Sequence, residues 1–164
     1  MTQNEIIQLI SNNHQRISTA ISCGAAWEIW FQVEMAILMR NAGKQAVREI
    51  PYPNGSQQRL DLSVQENFPN GTFGRYAMEI KVESATNTGN NLFMQGIRDD
   101  VNKLQAFAFP VLPGQAVPVE ERRWVIGIGY SSPAKQALQA YANNRPNTTY
   151  YQNNIPFGVL VTPV

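Results

Sequence analysis

Two short segments, residues 59–64 and 75–83, alternate apolar and polar side chains with a period of two. This alternation is typical of β-strands that have one buried face and one exposed face. Glu79 and Lys81 would share the polar face of the second strand, and Asp61 would lie on the polar face of the first. The apolar face of the second strand would hold Tyr76, Met78, Ile80 and Val82. If the strands are neighbours, the three polar groups converge, and such a set can bind a divalent cation and activate a water molecule.

The position of Asp61 indicates more than a solvated strand. It alternates with Leu60, Leu62 and Val64, which are predicted to face the core together. Aspartate is disfavoured inside strands, and the chain has only three aspartates. We therefore expect Asp61 to have a functional role.

Chain length and composition predict one domain with its own core. The 164 residues are 43% hydrophobic and 15% charged, which allows a sizeable core without disulfides or structural metals. We expect a single domain over 1–164, with an N-terminal helix in 1–23, a central core in 25–131 and a C-terminal helix and strand in 132–164.

Charge and cysteine content indicate the expected cellular location and the way in which the protein would contact nucleic acid. The single cysteine, Cys23, excludes an internal disulfide and a thiolate metal cluster, which favours a reducing, cytoplasmic location. No apolar run reaches the ~20 residues of a membrane span, and the first residues do not resemble a signal peptide. The net charge of +1 indicates that any contact with nucleic acid is local or is shared with a second subunit or a partner.

The order of predicted elements favours an α/β fold. Helices are predicted at 3–21, 25–41, 92–108 and 132–144, and strands at 47–52, 59–64, 75–83, 124–130 and 157–162. Ser132 and Pro133 would open the last helix, and the Pro-rich stretch 110–121 would be a surface loop. The helical crossover should place 124–130 parallel to a meander strand. We expect a mixed β-sheet, an antiparallel meander plus a parallel strand, flanked by helices.

This order, with its acidic residues, resembles the PD-(D/E)xK nuclease superfamily, which has the restriction-endonuclease-like fold. The family places an acidic residue on the first core helix, an aspartate on the second strand and Glu-Xaa-Lys on the third. Here Glu34 falls in the helix, Asp61 on the second strand, and Glu79 and Lys81 on the third. Leu60 stands where the family often has proline. The resemblance extends from about residue 25 to residue 130.

The resemblance implies a metal site. Asp61 and Glu79 would ligate Mg²⁺ or Mn²⁺, the backbone carbonyl of Ile80 would add a ligand, and Glu34 would complete the set directly or through water. Lys81 would orient or help to deprotonate the attacking water. Glu79 and Lys81 alone also fit an ordinary solvated strand face with a surface ion pair. Glu34 also fits a buried glutamate held by an arginine or the backbone.

Glu28 competes with Glu34 for a place in the site. The two glutamates are six residues apart, so they lie ~120° apart around a helix and would not both reach one metal ion directly. We favour Glu34 because it falls in the more apolar half of the helix, where an unpaired carboxylate is costly.

Several polar residues outside the motif are candidates for contact with nucleic acid. They are Arg59, Arg75, Gln95, Arg98 and Lys103. Gln95 and Lys103 are two turns apart on one predicted helix and would share a face. Arg122 and Arg123 could extend a fringe of phosphate-binding residues. Scattered surface charges and a solvated helix face are the alternatives.

The leading functional hypothesis is a Mg²⁺-dependent endonuclease that hydrolyses phosphodiester bonds of nucleic acid, and we expect that nucleic acid to be DNA. A second hypothesis is a catalytically inactive protein that keeps the nuclease scaffold and acts through a protein partner. A third is an unrelated α/β enzyme of small-molecule metabolism, although the single histidine, His14, argues against a Ser-His-Asp triad. No membrane partner is expected, and a homodimer is plausible because no separate recognition domain is evident.

Overall fold

The fold is described from a computed structural model that covers residues 1–24, 27–53, 57–87, 91–110, 114 and 116–164. Parts of four predicted segments lie outside these residues. They are 25–26 of the second helix, 54–56 of the turn after the first strand, 88–90 of the loop before the third helix, and 111–113 and 115 of the Pro-rich stretch.

One mixed sheet forms the centre of the molecule. Its strands are β1 (Gln45–Pro51), β2 (Arg59–Asn67), β3 (Phe73–Val82), β4 (Glu120–Gly129), β5 (Thr149–Tyr151) and β6 (Gly158–Pro163). Their spatial order is β1-β2-β3-β4-β6-β5. The β3–β4 pair is parallel and the other pairs are antiparallel. The predicted meander and the parallel strand after the crossover are both confirmed.

In the described residues, five helices flank this sheet. They are α1 (Gln3–Asn12), α2 (His14–Ser22), α3 (Trp27–Asn41), α4 (Leu92–Gln105) and α5 (Ser132–Asn143). The prediction of one helix over 3–21 is wrong, because Asn13 leaves the helical conformation at ψ 18° and its side chain donates to the Leu9 carbonyl at 2.8 Å. The last helix is capped by Ser131 rather than Ser132, since the Ser131 hydroxyl accepts from the Ala134 amide. None of the helices in the described part of the chain is long and apolar enough to cross a bilayer.

The sheet separates two apolar layers. The predicted apolar face of β3 is confirmed, because its alternating residues pack in the larger cluster with α1, α2 and α3. The smaller cluster joins the other face to α4 and α5. Leu62 and Val64 belong to the larger cluster, but Leu60 packs in the smaller one, so the prediction that all three face one core is wrong. Leu60 lies beyond Leu62, where the pairing of β2 with β3 ends.

Two further differences concern strand limits. Sequence alternation missed β5, a three-residue edge strand that pairs with β6. It also started β4 four residues late, because the first residues of β4 are polar yet pair with β3 from Glu120 onward. Backbone hydrogen bonds between strands determine where a strand begins and ends, and the polarity of the side chains alone does not predict them.

Candidate active site

The candidate site lies where β2 and β3 separate. Their last pair is Leu62 with Met78, and beyond it the Ile80 amide donates to Asp61 Oδ2 at 2.7 Å instead of to a backbone carbonyl. The Asp61 side chain thus takes the place of the β2 carbonyl that would otherwise accept from this amide, and the hydrogen bond holds Asp61 against β3. Asp61 also shares a hydrogen bond with the Glu79 carboxyl. The structure therefore brings together the two carboxylates on which the sequence hypothesis depends.

Glu79 is the buried centre of this group and is only 1% exposed. Its Oε1 accepts from the Tyr52 hydroxyl at 2.7 Å and lies 2.8 Å from Lys103 Nζ. Burial, with the charge of Asp61 as a smaller cause, raises the pKa of Glu79 to about 8, although Lys103 and Tyr52 oppose the shift. Near neutral pH the Glu79 carboxyl therefore holds a proton, which it can donate to Asp61.

Lys81 extends from the same face of β3 toward the N-terminal end of α3. Its Nζ lies 3.1 Å from Glu28 Oε1, and Glu28 Oε2 also accepts from the Val82 amide at 3.2 Å. Burial alone lowers the pKa of Lys81, but the carboxylates of Glu28, Asp100 and Asp61 outweigh it and the pKa is raised. The lysine therefore remains an ammonium when it is ion-paired.

Gly96 makes room for Lys81 beneath α4. A Cβ built on Gly96 would lie 2.9 Å from both Cδ and Cε of Lys81. The lysine stem therefore passes directly against the helix backbone. No residue larger than glycine fits there unless Lys81 moves.

Asp100 adds a third carboxylate to the environment of Lys81. Burial, with Asp61 as a smaller cause, raises the pKa of Asp100 to about 7, although Lys81 opposes the shift. Burial also raises the pKa of Asp61, against the hydrogen bond from the Ile80 amide. Burial is the largest cause of the raised pKa in all three carboxyl groups, and a neighbouring carboxylate adds to each shift while Lys81 or Lys103 opposes it.

The structure places Glu34 with a different partner. Glu34 is 2% exposed, and its Oε2 pairs with Arg16 Nη2 of α2 at 2.9 Å. This is the alternative role, a buried glutamate held by an arginine. Glu28, which the sequence argument ranked lower, is the α3 glutamate that contacts Lys81. The reason is rotational, since Glu34 lies ~120° around the helix from Glu28.

Glu83, two residues beyond Lys81, has a structural task. Its Oε2 accepts from the amides of Tyr130 and Ser131 at 2.7 and 2.8 Å. These amides precede α5, so the buried carboxylate holds the start of that helix. Glu83 is therefore committed to the junction between β4 and α5.

The predicted nucleic-acid contacts are spread over the surface. Lys103 joins the site through Glu79 and also donates to the Arg59 carbonyl at 3.0 Å. Arg59 donates to the Glu49 carbonyl, and Gln95 donates to Asp99 on the exposed side of α4. The other two lie elsewhere: Arg75 pairs with Glu121, and Arg98 lines a groove between α4 and α5. The structure thus brings only Lys103 to the carboxylates.

The donor atoms suit a hard divalent cation, although they are not arranged around one. Across the described ranges, no group of three or more histidine, cysteine, aspartate or glutamate side chains is positioned to hold a metal ion. Asp61 and Glu79 offer carboxylate oxygens, and Ile80 offers a main-chain carbonyl, all of which Mg²⁺ accepts. To bind a cation, Glu79 would have to release its proton and give up its contact with Lys103 or Tyr52. The crowded negative charge favours this exchange.

Sequence reasoning missed Tyr52, Asp100 and the direct pairing of Lys103 with Glu79. A signal for two of these was present on α4, since Gly96, Asp100 and Lys103 are spaced i, i+4 and i+7 and so lie on one helix face. Tyr52 gave no such signal, because it follows β1 and reaches Glu79 only through the folded sheet.

Comparison with known proteins identified no relative. The chain matches no protein-family model, no curated protein and no solved structure.

Proposed function

We propose that this protein is a metal-dependent phosphodiesterase that cuts nucleic acid, with DNA as the first candidate substrate. The observation that carries the proposal is the hydrogen-bonded pair of Asp61 and Glu79 where β2 and β3 separate, with Lys81 on the same strand face. Two adjacent carboxylates and a lysine two residues further on supply cation ligands and a group that positions water.

The fold supports the same proposal. An antiparallel meander followed by a helical crossover to a parallel strand, with helices on both sheet faces, is the arrangement expected from the PD-(D/E)xK resemblance. We propose that the chain is a divergent member with the restriction-endonuclease-like fold. Its departures are Leu60 in place of proline and Glu28, rather than Glu34, beside the lysine.

Each residue would have a distinct task. Asp61 and Glu79 would bind the cation, with the Ile80 carbonyl as an additional ligand. Bound Mg²⁺ or Mn²⁺ would polarise a phosphate oxygen and lower the pKa of a water molecule. Lys81 would orient that water and offset negative charge that develops on the phosphate. Lys103 would hold Glu79 in place until the cation replaces its charge.

The direct test is cleavage of supercoiled plasmid by purified protein with Mg²⁺ or Mn²⁺. We expect nicking that stops with chelator and is lost in both Glu79→Ala and Lys81→Met. Glu121→Ala is the matched control, because Glu121 pairs with Arg75 away from the carboxylates and its removal should leave nicking unchanged. Equal activity of wild type and Glu79→Ala would refute the proposal.

One observation favours the alternative of an inactive scaffold that binds a protein partner. Without a metal ion, Glu79 is already satisfied by Tyr52 and Lys103, and Lys81 is already satisfied by Glu28. Such a closed network is stable without a cation. Calorimetry distinguishes the two functions: no heat of Mg²⁺ or Mn²⁺ binding at pH 8.5, together with a stable protein complex in pull-downs, would support the scaffold.

A further inference from the structure

A groove between α4 and α5 lies on the side of α4 away from Lys81. Its volume is about 560 Å³. It is lined by Asn91, which directly precedes α4, by Arg98 from α4 and by Ala137 and Tyr141 from α5, with Arg145 beyond the end of α5. It adjoins a second cavity of about 160 Å³, with which it shares Asn91 and Ala137.

The groove carries two arginines that pair with none of the carboxylates in the described part of the chain. Within the described ranges, Arg98 is exposed and has neither a hydrogen bond nor an ion pair. Arg145 donates to the Tyr141 hydroxyl at 3.0 Å and lies over the Tyr141 ring at 5.8 Å, contacts that fix its position without cancelling its charge. Of the residues that the structure describes, no aspartate or glutamate lines the larger cavity.

The first turn of α4 adds to this field. Asn91 occupies the N-cap position, but its side chain makes no capping bond, and no acidic residue lies in the first turn. Helix N-termini favour anions because amide groups there lack intrahelical acceptors and the helix dipole is positive. The first turn of this 14-residue helix lies in the same groove as Arg98 and Arg145, and its Phe93 amide donates to the Asn87 carbonyl at 3.2 Å.

We propose that this groove binds the phosphodiester backbone of a nucleic-acid strand, with Arg98 and Arg145 as phosphate contacts. Arg98 on α4 and Arg145 beyond α5 line one cavity from different elements, so they offer two separate phosphate contacts, as successive phosphates of one strand require. The Glu83 carboxylate lines the smaller cavity, where the amides of Tyr130 and Ser131 hold it, so the phosphate contacts lie in the larger cavity with the two arginines. The inference rests on the proposed function for its ligand class, and it adds where the substrate strand lies.

The test measures binding in EDTA, so that it does not depend on cleavage. Fluorescence anisotropy of a labelled single-stranded DNA of ~12 nucleotides would be recorded for wild type and Arg98→Ala/Arg145→Ala over a range of salt. We expect at least tenfold weaker binding in the double variant, and a salt dependence lower by about one counterion for each arginine removed. Arg98→Lys/Arg145→Lys should recover much of the affinity.

The control is Arg40→Ala/Lys135→Ala, which removes the same charge outside the groove. It should weaken binding less than threefold, and thermal unfolding should show that both double variants are folded. Equal losses in the two double variants, or no binding by wild type at 50 mM salt, would overturn the inference. Binding of inorganic pyrophosphate in the groove without binding of the oligonucleotide would also overturn it. Groove-dependent DNA binding without plasmid nicking would instead refute the proposed function and leave the inference standing.

Discussion

The raised pKa of Glu79 predicts that the metal-free protein becomes less stable as pH rises. Its pKa is about 8 in the folded state against 4.5 for an ordinary glutamate. The folded state therefore binds the proton more tightly than the unfolded state does, and stability falls with increasing pH. This contribution is fully present below pH ~4.5 and is lost as pH rises through about 8.

The structure sets the size of this effect. At 1.36 kcal/mol for each pH unit, the interval from 4.5 to about 8 corresponds to about 5 kcal/mol for a group that is 1% exposed. Rearrangement of Lys103 and entry of water around the new charge reduce the cost, so we expect a loss of about 3 kcal/mol between pH 5 and pH 9. Asp100, whose pKa is raised to about 7, adds a smaller loss in the lower part of this range.

The assay is urea unfolding in EDTA at pH 5, 7 and 9, followed by tryptophan fluorescence. Glu79→Gln is the critical variant, because the amide oxygen still accepts hydrogen bonds from Tyr52 and Lys103 but cannot ionise. Its free energy of unfolding should change with pH by less than half as much as that of wild type. The matched control, Glu121→Gln, alters an exposed glutamate and should behave as wild type. If Glu79→Gln and wild type lose stability in parallel, the electrostatic account of the site is wrong.

Three further predictions concern neighbouring residues. Asp61→Asn should stabilise the metal-free protein by about 1 kcal/mol at pH 8, because it removes a like charge beside Glu79. It should also abolish any Mg²⁺-dependent rise in the thermal midpoint of unfolding, and a preserved rise would exclude Asp61 as a ligand. Gly96→Ala should leave the free energy of unfolding within about 1 kcal/mol of wild type, because the higher helix propensity of alanine offsets the cost of displacing Lys81. It should reduce plasmid nicking at least tenfold, and unchanged nicking would show that the position of Lys81 is unimportant. Glu83→Ala should destabilise by about 2–4 kcal/mol in chemical unfolding, as two buried amides lose their acceptor, and a change below 0.5 kcal/mol would contradict its structural role.

Local sequence patterns predicted much of the sheet and part of the site. The period-two alternation of β3 determines which side chains face the large core and which accompany Glu79 and Lys81, because a strand places successive residues on opposite faces. The position of Asp61 in a second alternating segment similarly indicated a pair of neighbouring carboxylates. These features depend on residues close together in the chain, and one sequence carries that information.

Tertiary structure determined which side chains surround Glu79 and Lys81. Whether Glu28 or Glu34 reaches Lys81 depends on the rotation of α3 against the sheet, and both glutamates lie in a helix that is apolar around most of its circumference. Tyr52 meets Glu79 only because two antiparallel pairings bring the end of β1 close to the middle of β3. The raised pKa values arise in the same way, since burial and like-charge crowding depend on how distant segments pack. Sequence alternation determined the strand face of Glu79 and Lys81, and packing determined which other charges meet them there.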